Sequence, residues 1–365
     1  MKTEIVKVSG ENPDIQALEY CGAVIREGGL VAFPTETVYG LGANAFDDRG
    51  VRSIFAAKNR PCDNPLIVHI DDYKMLQGVA NFNNEREKEY FTRLGQAYWP
   101  GPLTMIVGKD EKIPLSVSCG LQTVGIRMPV HPVARALIQV SGVPIAAPSA
   151  NASGRPSPTR FEHVYEDMNG RVDVIIDGGD CSVGVESTVL DLVSPEPTIL
   201  RPGAITAEDV ERVLGSCLEY DWKGLEGKVE KPRSPGMKYR HYAPKASVTV
   251  YEGSREQVIE RICLEIDRAR AEGLLVGVLA TDETKEVYKS AQVVLSLGKT
   301  EDSASHAGRL FDCLREFDGR GAQIVFAEAV VQTGVGDAVM NRLFRAAGGR
   351  IVSCEDCLKG KGEQR

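Results

Sequence analysis

The sequence predicts an α/β protein of two domains joined by a linker. Three observations point there. Helical and extended signals alternate over residues 1–214, a β–α repeat returns over 246–365, and the stretch between them, 215–245, has no sustained apolar period. At 365 residues the chain is long enough to bury two cores.

Taken in order, Asn12-Pro13 offers a capping residue and a first-turn proline. Ile15, Leu18, Val24 and Ile25 follow at helical spacing, and Gly28-Gly29 ends the helix. Residues 30–33, Leu-Val-Ala-Phe, read as a buried strand broken by Pro34. Periodicity then predicts helices over 49–57, 84–98, 132–139 and 207–214, and strands over 65–70, 103–107, 124–127, 143–147, 172–176, 188–192 and 198–200. Such a mixture suits an open twisted sheet that is not wholly parallel. Pro and Gly punctuate 215–245, yet Tyr239, His241 and Tyr242 stand there among Lys238, Arg240 and Lys245. The segment therefore reads as a linker able to cover a site. Beyond it, strands over 246–251, 274–280, 291–297 and 322–327 alternate with helices over 255–271, 303–317 and 337–347. That repeat predicts a smaller parallel sheet of Rossmann type. No GxGxxG follows its first strand, and Gly334-Val-Gly336 is too short to define a nucleotide site, so a structural or regulatory domain is expected.

Composition narrows the function classes. The chain is 42% hydrophobic and 26% charged with a formal net charge of -8, and its pI is about 5.4. A surface of that sign repels polyanions, so a site for ATP or RNA must be a local basic patch. The opening residues lack the apolar core of a signal peptide, and no apolar run approaches a membrane span. Nine scattered cysteines do not form a disulfide framework, so the expectation is a reduced cytoplasm. Cys354-Glu-Asp-Cys357 lacks the second ligand pair a zinc site needs, and no metal site is expected.

Several constellations carry chemistry. Pro34-Thr-Glu-Thr-Val-Tyr-Gly-Leu-Gly42 puts hydroxyls, a carboxylate and two glycines at a strand's carboxyl end, where a small polar ligand fits. Ala56-Ala-Lys-Asn-Arg-Pro-Cys-Asp-Asn-Pro-Leu66 brings Lys58, Arg60 and Asn64 off a helix end, the cations and amide that a triphosphate needs. His69 follows in an apolar strand. Arg127, in Thr123-Val-Gly-Ile-Arg-Met-Pro129, also lies in an apolar strand and requires an anionic partner, from the protein or from a ligand. The loop 146–159, rich in Ser, Gly and Pro, suits phosphate or ribose. Glu186-Ser-Thr188 and Leu200-Arg-Pro-Gly203 close the series at two further strand ends.

The ordered series, from Thr-Glu-Thr-x-Tyr-Gly-Leu to Leu-Arg-Pro-Gly, closely resembles the YrdC-type threonylcarbamoyl-AMP synthases over residues 17–203. The block Ser-Pro-Gly-Met-Lys-Tyr-Arg-His-Tyr-Ala-Pro and the α/β domain after it resemble the longer, two-domain form. The resemblance implies a YrdC-like catalytic domain over 1–214 with its sheet and helices around a basic cavity, a linker over 215–245 and a Rossmann-like domain over 246–365. It implies condensation of L-threonine, bicarbonate or CO2, and ATP into threonylcarbamoyl-AMP and pyrophosphate, for N6 modification of the tRNA adenosine beside the anticodon. Thr35, His69, Arg127, Ala147 and Ser187 would surround threonine, with Arg127 meeting its carboxylate. Where a hydroxyl residue is frequent in the family, this chain has Ala147, which can offer only backbone or packing. Arg60, Asn64, Thr123, Ser149, Ser157 and Arg201 would hold ATP, with Lys58 beside the phosphates, Tyr242 as a further contact and Mg2+ accompanying the nucleotide. Lys58 and Arg60 would be the catalytic pair. The product would pass to a downstream tRNA threonylcarbamoyl transferase, with weak tRNA contact. The competing reading is a non-catalytic RNA- or nucleotide-binding module, which predicts aromatic stacking platforms. A content of 6% aromatic residues argues against it.

Overall fold

In the computed structural model the described residues are 2–215, 218–220, 233 and 242–354. They fall into two compact units, those within 1–153 and 157–239 and those within 154–156 and 240–365. Most of the predicted linker, and with it any lid it forms, lies outside the described residues, as do Cys217 and Cys357.

The first unit runs β1 (Glu4–Lys7), α1 (Ile15–Arg26), β2 (Val31–Phe33), β3 (Gly40–Asn44), α2 (Asp48–Ala57), β4 (Ile67–His69), α3 (Glu85–Tyr98), β5 (Leu103–Gly108), α4 (Leu115–Ser118), β6 (Thr123–Arg127), α5 (Pro132–Ser141), β7 (Ile145–Ala147), α6 (Phe161–Met168), β8 (Val174–Asp177), β9 (Thr188–Asp191), β10 (Thr198–Arg201), α7 (Ala207–Leu214) and β11 (Glu219–Tyr220). The strands form one sheet in the order β1-β8-β2-β3-β7-β4-β6-β5-β9-β10-β11. It is mixed, as the sequence predicts: β4 pairs with β6 in parallel, while β5 pairs with β6 and β7 with β4 antiparallel.

Caps set the helix limits. α1 starts two residues later than Asn12-Pro13 suggested, because Asp14 is the cap and its carboxylate accepts from Gln16 N. Asp47 plays the same part for α2, which delivers Lys58 at its end. α5 begins with Pro132 at its first position and stops at Gly142, whose φ is 64°. The sequence predicts no strand in the ligand-suited series 34–42, whose last three residues open β3. The glycines of this strand serve packing: a Cβ on Gly42 would lie 2.7 Å from Ile145 Cγ2 and 2.8 Å from Phe33 Cε1. One large core lies on the side of the sheet that buries Leu41, Ile54, Val124 and Ile126; a second cluster, with Leu18, Ile25 and Leu137, seals α1 and α5 onto β2 and β8.

The second unit contains β12 (Ser247–Glu252), α8 (Arg255–Ala271), β13 (Val276–Ala280), β14 (Val293–Ser296), α9 (Ser303–Gly319), β15 (Ile324–Glu328), α10 (Gly336–Ala346) and β16 (Ile351–Ser353). All its strand pairs are parallel, in the order β14-β13-β15-β12-β16. A capping box between Ser254 and Gln257 starts α8. Among the described residues no helix is long and apolar enough to cross a membrane.

Candidate active site

Strand register assembles the site. His69 on β4 lies directly opposite Arg127 on β6, and Arg127 directly opposite Thr104 on β5. Cross-strand partners share a face, so these three polar side chains rise side by side. Val124 and Ile126, between Thr123, Gly125 and Arg127, point the other way into the core. On the polar face is a shallow hollow, open to solvent, lined by Ile67, Thr104, Thr123, Gly125, Val189 and Arg233.

Arg127 is 4% exposed. Its Nη2 stands 2.6 Å from Glu36 Oε1 in an ion pair whose side chains are both 4% exposed. Nη1 donates to Thr37 Oγ1 at 2.8 Å and Nε to Gly101 O at 3.4 Å. The buried cation required a partner, and a protein carboxylate supplies it. Glu36 is the protein partner among the two sources the sequence leaves open, and a ligand carboxylate would share the guanidinium with it. Thr35 joins the same cluster, with its Oγ1 2.9 Å from Thr37 Oγ1 and donating to Val38 O at 2.7 Å.

A second chain of contacts crosses the face from β5. Thr104 Oγ1 and Ser187 Oγ are 2.7 Å apart. Arg201, at the end of β10 and 7% exposed, donates from Nη2 to Ser187 Oγ and from Nε to Ser187 O, both at 3.1 Å. Gly203 permits this: a Cβ there would lie 2.3 Å from Thr188 N and 2.7 Å from Ser187 C. Glu36, Thr37 and Thr104 are members that the sequence reading did not assign. For Glu36 the signal was the unmatched Arg127; for Thr104 it was one hydroxyl in the apolar run Leu103-Thr-Met-Ile-Val107.

The residues expected around phosphate divide: Thr123 and Arg201 stand on the polar face already described, and the others form separate bonded sets. Lys58 is 2% exposed. Its Nζ donates to the carbonyls of Ser149 and Asn151, the latter at 2.6 Å, and to Asn151 Oδ1 at 3.3 Å. Ser149 Oγ donates to Asn151 Oδ1 at 2.5 Å, and Gly40 of β3 bridges to Ser149. Arg60 reaches across its own loop to Asn64 O at 3.0 Å and lies 5.7 Å from the Phe55 ring centre. Ser157 Oγ donates to Glu186 Oε1 at 2.5 Å in a buried pair. Ala147, opposite Ile67, is buried in the core with its methyl. Tyr242 belongs to the second unit, where its ring lies 5.2 Å from Phe311 and 5.9 Å from the Arg342 guanidinium.

His69 is held neutral. Burial, with the charge of Arg127 added, pushes its imidazole down to about 3. Its Nδ1 is buried without a hydrogen-bond partner among the described residues. The linkage sign follows from the direction of the shift. The unfolded chain binds this proton below about pH 6.5 and the folded chain does not, so the stability contribution is full above 6.5 and is lost as pH falls toward 3. Wild type should therefore lose about 1.4 kcal/mol per pH unit more than His69→Asn between about pH 6.5 and 4.5 in urea unfolding. Parallel slopes would contradict a neutral buried His69.

Fold and site together define a class: an α/β protein that gathers buried cations and hydroxyls on one face of a mixed sheet, suited to a small molecule with carboxylate or phosphate ends. Comparison with known proteins narrows it. The family described as "Telomere recombination" matches residues 23–203, and that described as "Threonylcarbamoyl-AMP synthase, C-terminal domain" matches 205–348. Threonylcarbamoyl-AMP synthase of Bacillus subtilis (strain 168) is 50% identical over 331 residues, 90% of this chain and 92% of that one. The Pyrococcus abyssi protein of the same name is 47% identical, covering 90% of this chain and 93% of its own. A crystal structure of P. abyssi Sua5 complexed with L-threonine matches with a TM-score of 0.90 at 45% identity, over 96% of this chain and 99% of that one. The chain belongs to the threonylcarbamoyl-AMP synthase family, in its two-domain form.

Proposed function

We propose that the protein is an L-threonylcarbamoyladenylate synthase, joining L-threonine, bicarbonate or CO2, and ATP into threonylcarbamoyl-AMP with release of pyrophosphate. The observation that carries this reading is the shared polar face on which the neutral, unpartnered His69 Nδ1 stands beside Arg127 and Thr104. Arg127 offers its remaining N–H groups to the amino-acid carboxylate. His69, uncharged, meets the amine or hydroxyl without repelling an ammonium. Thr35 and Ser187 supply hydroxyl contacts, and Ala147 contributes a methyl wall.

The amine, once deprotonated, adds to CO2 and yields a carbamate. A carbamate oxygen then attacks the α-phosphorus of ATP, and the bond to pyrophosphate breaks. No residue is required as a covalent nucleophile; the protein positions the reactants and neutralises charge. Lys58 and Arg60 act on the phosphates, with Asn64, Thr123, Ser149, Ser157 and Arg201 holding the nucleotide. Mg2+ enters with ATP as part of the substrate, since the phosphate-side donors are cationic or neutral and do not form a cation cage. The same reading supplies a cytoplasmic tRNA threonylcarbamoyl transferase with its labile intermediate and gives tRNA itself only weak contact. An RNA-binding module is disfavoured by the scatter, among the described residues, of the exposed tyrosines Tyr20, Tyr73 and Tyr165 over separate elements. The test is pyrophosphate release by the full chain with ATP and Mg2+: it should require both threonine and bicarbonate. Release indifferent to either would refute the proposal.

A further inference from the structure

Two thiols face each other beside the loop that carries Arg60 and Asn64. Cys62 is exposed and Cys119 half-buried. Each sulfur lies 3.8 Å from the same oxygen, Ser116 O, so the two thiols converge on one carbonyl. The neighbourhood is otherwise fixed: Leu66 N, at the end of the loop, donates to Val117 O of α4 at 2.8 Å. Cys119 ends α4 at φ 49° and Gly120 follows at φ 84°, a turn that leads into the strand bearing Thr123 and Arg127. Cys62 itself sits between Arg60 and Asn64, whose mutual bond is 3.0 Å.

We propose that Cys62 and Cys119 are a thiol modification site, in which a low-molecular-weight disulfide oxidises the pair to an intramolecular disulfide that draws Arg60 and Asn64 away from the nucleotide. The functional half rests on the nucleotide role given above to those two residues. The exposed Cys62 sulfur, having given up its proton, attacks the small disulfide RSSR. One RS– leaves and takes up a proton, and a mixed disulfide remains on Cys62. Cys119 then loses its proton, its sulfur attacks that mixed disulfide, and the second RS– leaves as RSH. In sum, two protein thiols and RSSR give one protein disulfide and two RSH: the protein is oxidised by two electrons and the small disulfide reduced by two. Burial first, and the neighbouring Cys62 second, push the Cys119 thiol up to about 12.

Closing the bond brings the sulfurs to about 2.05 Å, so each must leave its place on Ser116 O and move toward the other. Part of that movement falls on Cys62, in the middle of the Arg60–Asn64 bridge. A displacement of about 1 Å in a positioning loop can lower turnover by about 100-fold.

The experiment incubates the full chain with oxidised glutathione, maps disulfide-linked peptides by mass spectrometry, and follows binding of a fluorescent ATP analogue and pyrophosphate release. The expected result is a Cys62–Cys119 linked peptide, nucleotide affinity and turnover lower by about 10- to 100-fold, and recovery with dithiothreitol. Cys62→Ser and Cys119→Ser should keep basal turnover and lose the response. Glutathione on Cys62 with no link to Cys119, a response that survives both substitutions, or a linked peptide with unchanged nucleotide affinity would each overturn the proposal. Failure of the synthase reading is separable, since it would abolish pyrophosphate release in the reduced protein and leave peptide mapping informative.

Discussion

Arg127→Met abolishes threonine-dependent turnover and lowers folding stability by about 3–5 kcal/mol, the cost of leaving a buried charge without its partner. The charge left behind is Glu36, whose Oε1 is 2.6 Å from the guanidinium and whose Oε2 accepts only a long bond, 3.3 Å, from Val130 N. The double variant Glu36→Gln/Arg127→Met separates the two losses. It removes the orphaned carboxylate and should recover most of the stability in urea unfolding, because a buried pair replaced as a whole is often near neutral. It should recover no turnover, since the amino-acid carboxylate still lacks its cation. A single variant as stable as wild type would mean that Glu36 is solvated or otherwise paired, and the site as described would be wrong.

Lys58→Ala should lower kcat by about 100- to 1,000-fold while leaving the KM for threonine nearly unchanged. In the proposed function Lys58 is a cation for phosphate, and in the structure it is also a buried strut: its ammonium ties the end of α2 to the carbonyls of Ser149 and Asn151. Losing it removes positive charge and frees the loop that presents Ser149. Lys58→Arg should not rescue, because a planar guanidinium cannot occupy a pocket built from converging carbonyls around a compact ammonium. Pyrophosphate release measures this directly, and near-normal rates in Lys58→Ala would remove Lys58 from the mechanism. Loss of the carbonyl bonds should cost about 1–3 kcal/mol, too little to unfold the domain.

Much of this arrangement is legible in the residues, for reasons that differ by element. The second unit is the clearest case. Its strands are short apolar runs and two of its helices, α8 and α9, start at side-chain caps on Ser254 and Asp302, so period and punctuation agree there. The first unit is legible where apolar period is strong, as in β5 and β6, and hidden where packing overrides local preference. Gly40-Leu-Gly-Ala-Asn44 has poor strand character, yet it is a strand because Phe33, Ile145 and Ala147 crowd a backbone that tolerates no Cβ at Gly42. α6 has no side-chain cap and follows a Pro-rich loop, so nothing local announces it. β1 and β16 are short edge strands, paired on one side.

The site shows the same division. That Arg127 needed an anion followed from its apolar strand. That the anion is Glu36 did not, because the two are 91 positions apart and meet only through the order of β2, β3, β7, β4 and β6. Likewise Lys58 stands at the helix end where the sequence puts it, while its bonds to Ser149 and Asn151 depend on the turn after β7 lying against the end of α2.

The central claim is that one face of the first sheet seats an amino acid against the α-phosphate of ATP while its amine carries CO2. Mass spectrometry of the adenylate made from carbon-13 bicarbonate tests it most directly. The account predicts a product containing threonine, AMP and one heavy carbon, formed by the wild type and absent with Arg127→Met. A threonyl adenylate without the heavy carbon, or no threonine in the adenylate at all, would contradict it.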